Sequence, residues 1–155
     1  MKNLKYLSQL LFILTICFFT SCENTDIANT ANLVAGNYRI QNISAKTNQG
    51  QADININPET DQIIITATDE RTVKIDIVVT TARVSVGTSN ANLLQSTYHD
   101  IKVEGNSENE TFTLSKAINT QNNASLIGMI NSNGELTLEY NISGTELFSL
   151  KAFRP

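Results

Sequence analysis

From Thr72 to Val79 the side chains alternate between apolar and polar, and only an extended backbone can use such a pattern. In a strand, successive side chains point to opposite faces. Val73, Ile75, Ile77 and Val79 therefore share one face, and Lys74 and Asp76 the other. Glu135–Ile142 repeats the arrangement, with Leu136, Leu138, Tyr140 and Ile142 on the inner side. The same reading predicts strands over Asn37–Ala45, Ala52–Asn57, Gln62–Thr68, Arg83–Val86, Tyr98–Glu104, Thr111–Lys116, Leu126–Asn131 and Leu147–Phe153. Turn chemistry separates them. Asn133-Gly134 marks a hairpin, and Pro58 presets a turn through its fixed φ. No segment carries a helical period. The expectation is an all-β chain of about eight to ten short strands. Consecutive hairpins make a meander, and a meander must protect its edges. It closes into a small barrel or, as the alternative, folds as a β-sandwich.

The N-terminus reads differently. Lys2 and Lys5 precede an apolar run, Leu7–Phe19, which is the layout of a secretory signal. That run is short of the roughly 20 residues that span a bilayer. It ends Phe19-Thr20-Ser21-Cys22, which resembles the lipobox of bacterial lipoproteins, with Phe19 in place of the usual Leu. The resemblance implies cleavage before Cys22 and a diacylglycerol thioether on its sulfur. The chain then divides into a signal peptide, 1–21, a lipidated flexible tether, 22–33, and one β domain, 34–155. Two or more acyl chains hold a domain at a membrane surface without a span.

Cys17 leaves with the signal and Cys22 carries lipid, so the domain has no thiol chemistry and no disulfide. Losing Lys2 and Lys5 moves the formal net charge from −4 to about −6. An acidic domain is a poor partner for nucleic acid, because phosphate contacts need clustered Lys and Arg.

Ala35-Gly36-Asn37-Tyr38 resembles the Gly-x-Trp opening of lipocalins and other calycin barrels. The likeness extends to the small lipocalin-like lipoproteins of the Bacteroidetes, through the lipobox, the polar tether and the late Gly134-Glu135-Leu136-Thr137-Leu138 strand. It implies that the Tyr38 ring closes one end of a barrel. It also implies that a basic side chain of the last strand, Lys151 or Arg154, packs over that ring. Tyr38 replaces Trp, no cysteine pair staples the barrel, and no C-terminal helix follows. Gly36 and Tyr38 are therefore carried over as structural positions only, and ligand-binding residues stay unassigned.

Signals for chemistry are thin. Asp53-Ile54-Asn55-Ile56-Asn57-Pro58 begins like a calcium loop, but that loop needs Gly at its sixth position and Glu at its twelfth. Pro58 and Ile64 stand there. His99-Asp100 is the one histidine–acid pair, and neighbours on a regular strand point apart. Glu104, Glu108 and Glu110 crowd one polar turn as solvated charges. No Gly-x-Ser-x-Gly elbow, phosphate loop or zinc spacing is present. The expectation is a non-enzyme with no metal and no cofactor. It is held in the cell envelope, at the outer membrane, by lipid on Cys22, and binds a small hydrophobic ligand in a barrel. The alternative is a non-catalytic structural or protein-interaction module of the envelope.

Overall fold

The structure is a computed structural model that describes residues 29–47, 50–84, 91–106 and 111–155. The expected signal peptide, Cys22, most of the expected tether, Glu108 and Glu110 lie outside the described residues. Among the described residues one short helix, α1 (Thr30–Val34), precedes nine strands. They are β1 (Gly36–Thr47), β2 (Gly50–Ile54), β3 (Gln62–Asp69), β4 (Thr72–Val78) and β5 (Gln95–Asn106), followed by β6 (Thr111–Asn119), β7 (Ala124–Ile130), β8 (Glu135–Ile142) and β9 (Thr145–Phe153).

All pairings are antiparallel, and β1 pairs with both β3 and β9. The order β1-β3-β4-β5-β6-β7-β8-β9 thus returns to β1 and closes an eight-stranded barrel, with β2 as an extra strand. Closure removes the sheet edges that a sandwich would leave. β2 and β3 run in the same direction along one edge of β1. β2 faces Ile43–Thr47 and β3 faces Gly36–Arg39. Together they act as one strand interrupted by the excursion 55–61, where Pro58 turns the chain.

The alternation found in the sequence becomes the inside and outside of the barrel. Val73, Ile75, Ile77 and Val79 are all at most 1 % exposed. Lys74 and Asp76 point outward and pair at 2.9 Å. Tyr38, Ile40, Ile43, Ile63, Leu114, Leu126, Leu136 and Phe148 fill the interior from six further strands. Each such side chain stabilises the fold by about 1.5–3 kcal/mol relative to exposure.

Two expectations need correction. Residues 22–33 were expected as tether, yet Ala31 is fully buried, like Val34, and Ala31 N donates to Glu70 O at 3.0 Å. A helix of five residues is too short to write a period into the sequence. Arg83–Val86 was expected as a strand, yet residues 82–84 are not one, and 85–86 lie outside the described residues. The Asn92 side chain takes the place of a ladder there. Its Oδ1 accepts from Val84 N and its Nδ2 donates to Ala82 O, each at 3.1 Å.

Gly105, near the end of β5, has φ +131. A Cβ there would press onto the Thr111 carbonyl oxygen and come within 3.0 Å of Phe112 Cα. Backbone cannot yield as a side-chain tip can. Gly105→Ala is expected to cost about 2–3 kcal/mol, read as a lower urea midpoint at unchanged slope.

Candidate functional site

One end of the barrel gathers the starts of β1, β6 and β8 and the ends of β5, β7 and β9. α1 lies over it. Tyr38 is fully buried below the helix, and its hydroxyl donates to Val34 O at 2.7 Å. Arg154, just past β9, places its guanidinium carbon 5.1 Å from the Tyr38 ring centroid. Arg154 Nη2 donates to the Tyr38 hydroxyl at 2.6 Å and to Leu33 O at 3.1 Å. One cation thus ties helix, first strand and C-terminal segment together. Burial pushes the Tyr38 hydroxyl above its ordinary range, and the Arg154 charge and hydrogen bond draw it partly back. Gly36 makes room for this, since a Cβ there would sit 3.1 Å from Arg154 Nε. Lys151 is exposed on the outer face of β9 and takes no part.

The helix does not cover the whole end. Between α1 and the β7–β8 turn lies an open groove of about 420 Å³, lined by Leu33, Phe112, Ile130, the turn 131–134 and Arg154. Its apolar wall comes from Phe112 and Ile130, which are nearly buried, and from Leu33, which is 52 % exposed. Its rim is rigid. Asn131 Oδ1 accepts from Asn133 N and Glu135 N, both at 3.0 Å, and Arg154 N donates to Gly134 O at 2.9 Å. Among the described residues no carboxylate pairs with Arg154.

The barrel's interior is occupied by its own side chains. Toward the other end the Tyr140 and Phe148 rings stack at 5.5 Å, and Tyr98 leans on Tyr140 at 6.3 Å. Leu94, on the β4–β5 connection, is fully buried, and Val79 N donates to its carbonyl at 3.0 Å. Also at that end, Asp61 is 1 % exposed and accepts from Asn57 N, Thr80 N and the Thr80 and Thr81 hydroxyls. It locks the β2–β3 excursion to the end of β4.

The other residues singled out in the sequence do not meet. His99 and Asp100 are both exposed, and not on opposite faces as a regular strand would place them. The reason is a bulge: the β4–β5 register shifts here, and Asp100 has φ +51. Lys116 Nζ donates to His99 O and lies 3.9 Å from Asp100. Asp53 and Asn55 are exposed, while Asn57 Oδ1 accepts from Glu59 N to shape the Pro58 turn. Glu104 pairs with Lys102 on the surface. Among the described residues no three His, Cys, Asp or Glu side chains group as metal ligands. Sequence reasoning missed the groove. Asn133-Gly134 signalled its hairpin, but Leu33 and Phe112 reach it only through the tertiary fold.

An antiparallel barrel filled with apolar side chains defines the class of this protein. A solved structure of the same fold comes from Bacteroides fragilis, a protein provisionally described as an outer membrane protein. The two superpose with a TM-score of 0.56 at 19 % identity, over 86 % of this chain. The chain spans about half, 54 %, of that protein's length. No family profile and no curated protein matches the sequence.

Proposed function

We propose that this chain is a non-catalytic binding protein of the cell envelope, lipid-anchored through Cys22, that takes a small hydrophobic molecule into the groove beside α1. The likeness to a protein described as belonging to the outer membrane supports the compartment. The barrel itself supports an anchored role over a channel. Transmembrane barrels are apolar outside and polar within. Here Ile75, Leu114 and Leu138 face inward, while Lys74, Asp76, Ser115 and Lys151 face out.

The observation that carries the ligand reading is the groove: an apolar wall, a fixed polar rim and a volume of about 420 Å³. That lies in the range of small-molecule sites, about 300–1,000 Å³. Because side chains occupy the lumen, the ligand is placed outside it. The test is binding of a neutral hydrophobic fluorophore, phenylnaphthylamine. Leu33→Glu puts a charge on the groove wall at a position already half open to water. It is expected to weaken binding at least about tenfold while changing stability by under about 0.5 kcal/mol. Unaltered binding would move the ligand elsewhere.

The anchor has its own check. Cys22→Ser is expected to shift the protein from the membrane fraction to the soluble fraction and to abolish incorporation of labelled palmitate. Retention in membranes without label would remove the lipoprotein reading.

One observation favours the protein-interaction alternative. Ile127 and Met129, side by side on the outer face of β7, are 48 % and 51 % exposed among Thr113, Thr137 and Glu139. Crosslinking in cells from position 127 would capture an envelope partner if this face docks one.

A further inference from the structure

We propose that the groove selects a single-chain anionic amphiphile, a long-chain carboxylate, with the chain against Phe112, Ile130 and Leu33 and the head on Arg154. This rests on the groove reading above and names its ligand class.

The charge argument comes first. In a chain of net charge −4, Arg154 lines an apolar groove with no carboxylate paired to it among the described residues. Its hydrogen bonds to the described residues run through Nη2 and the backbone N. A guanidinium has five N–H donors in a planar fork that matches a carboxylate, so donors remain for a ligand. The Tyr38 contacts already fix the fork, and a fixed donor loses little entropy on binding. The rest of the rim, Asn131, Ser132 and Asn133, is uncharged. Glu135 is held by Asn131 Nδ2 at 2.7 Å and does not line the groove.

Size and place argue the rest. A groove of about 420 Å³ is at the low end for ligand sites, which suits one hydrocarbon chain better than two. It also lies at the end that carries α1. Only six residues separate Cys22 from Asn29, a reach of about 25 Å at most. With lipid on Cys22, that end faces the bilayer surface, where single-chain amphiphiles partition.

The test uses the full lipidated chain in phosphatidylcholine vesicles. Two photoreactive probes of equal chain length are compared, a diazirine-bearing fatty acid and the matching fatty alcohol. Mass spectrometry then locates the labels. The acid is expected to label the peptides holding Phe112 and Ile130–Asn133 several-fold more than the alcohol. Arg154→Gln should lower acid labelling to the alcohol level, and Arg154→Lys should keep most of the preference. Because Arg154 also braces Tyr38, a second variant leaves it untouched. Asn133→Asp adds a negative charge to the rim and should reduce labelling by the acid alone. Equal labelling by both probes would overturn the carboxylate preference and leave the groove reading intact. Absence of label from these peptides with either probe would overturn both. Loss of acid labelling when phosphatidylglycerol is added to the vesicles would assign the seat to a bilayer lipid and overturn the single-chain claim.

Discussion

Tyr38→Ala is expected to lower the stability of the barrel by about 3–5 kcal/mol, the range for deleting a buried aromatic side chain. Three losses combine. The ring is fully buried, so its removal opens a cavity under α1. Val34 O loses its donor at 2.7 Å, and Arg154 loses both the hydroxyl at 2.6 Å and the ring beneath it. The helix then has fewer ties to the barrel, and its bond from Ala31 N to Glu70 O should open more often. Tyr38→Phe separates the terms. It keeps the ring and removes only the hydroxyl, so it should cost about 1–2 kcal/mol. Urea unfolding measures both, and hydrogen exchange at Ala31 and Ala35 reports whether α1 loosens before the barrel does. Equal costs for the two variants would mean that packing of the ring contributes little to this end.

Asp61→Ala should be comparably severe, at about 3–5 kcal/mol, for a polar reason. A carboxylate 1 % exposed is tolerable because two backbone N–H groups and the hydroxyls of Thr60, Thr80 and Thr81 donate to it. The donors sit on exposed residues, where water can replace part of each bond, so each lost bond costs about 0.5–1.5 kcal/mol and the set together gives the loss. Burial works to raise the Asp61 pKa. The bonds from Asn57, Thr80 and Thr81 together outweigh it and hold the group below its ordinary 3.8. A carboxylate depressed on folding contributes stability that is complete above its unfolded pKa. That contribution is lost as pH falls through the folded value. The wild-type melting temperature should therefore be flat with respect to Asp61 above about pH 5 and fall progressively below about pH 4. Asp61→Asn should be less stable than wild type at pH 7, with a visibly shallower loss on acidification. Asp76 and Glu104 are also lowered, Asp76 chiefly by Thr97 and Lys74 and Glu104 by Lys102. Both sit toward solvent, so Asp61 should account for most of the difference between the two acid profiles.

Period-two alternation made the strands legible, because a water-facing barrel needs that pattern on every strand. Val73, Ile75, Ile77 and Val79 could be placed inward from the chain alone, and they are inward. Closure could not be read, because a sandwich buries the same alternating face; only the β1–β9 pairing distinguishes the two. The misread segments share a physical cause. At Arg83 and Val84, the described part of the expected Arg83–Val86 strand, the Asn92 side chain, eight residues beyond Val84, bonds Val84 N and Ala82 O, which a neighbouring strand would have served. At His99–Asp100 a bulge breaks the alternation without any glycine or proline to announce it. α1 is too short to show a period and is held by Tyr38 and by the distant Glu70 and Arg154. The candidate site was half visible. Gly36, Tyr38 and a basic residue near the end of the last strand could be named, but the choice of Arg154 over Lys151 depends on which way each position faces. The groove was not visible, since Leu33, Phe112, Ile130 and Arg154 lie far apart in the sequence.

The most direct test of a filled barrel with its ligand seat outside is a crystal structure of the protein grown with a long-chain alcohol. Density for the alcohol is expected along Phe112, Ile130 and Leu33, with Tyr38, Ile75, Leu114 and Leu138 undisturbed in the interior. Density inside the barrel among those four side chains, with the groove empty, would contradict it.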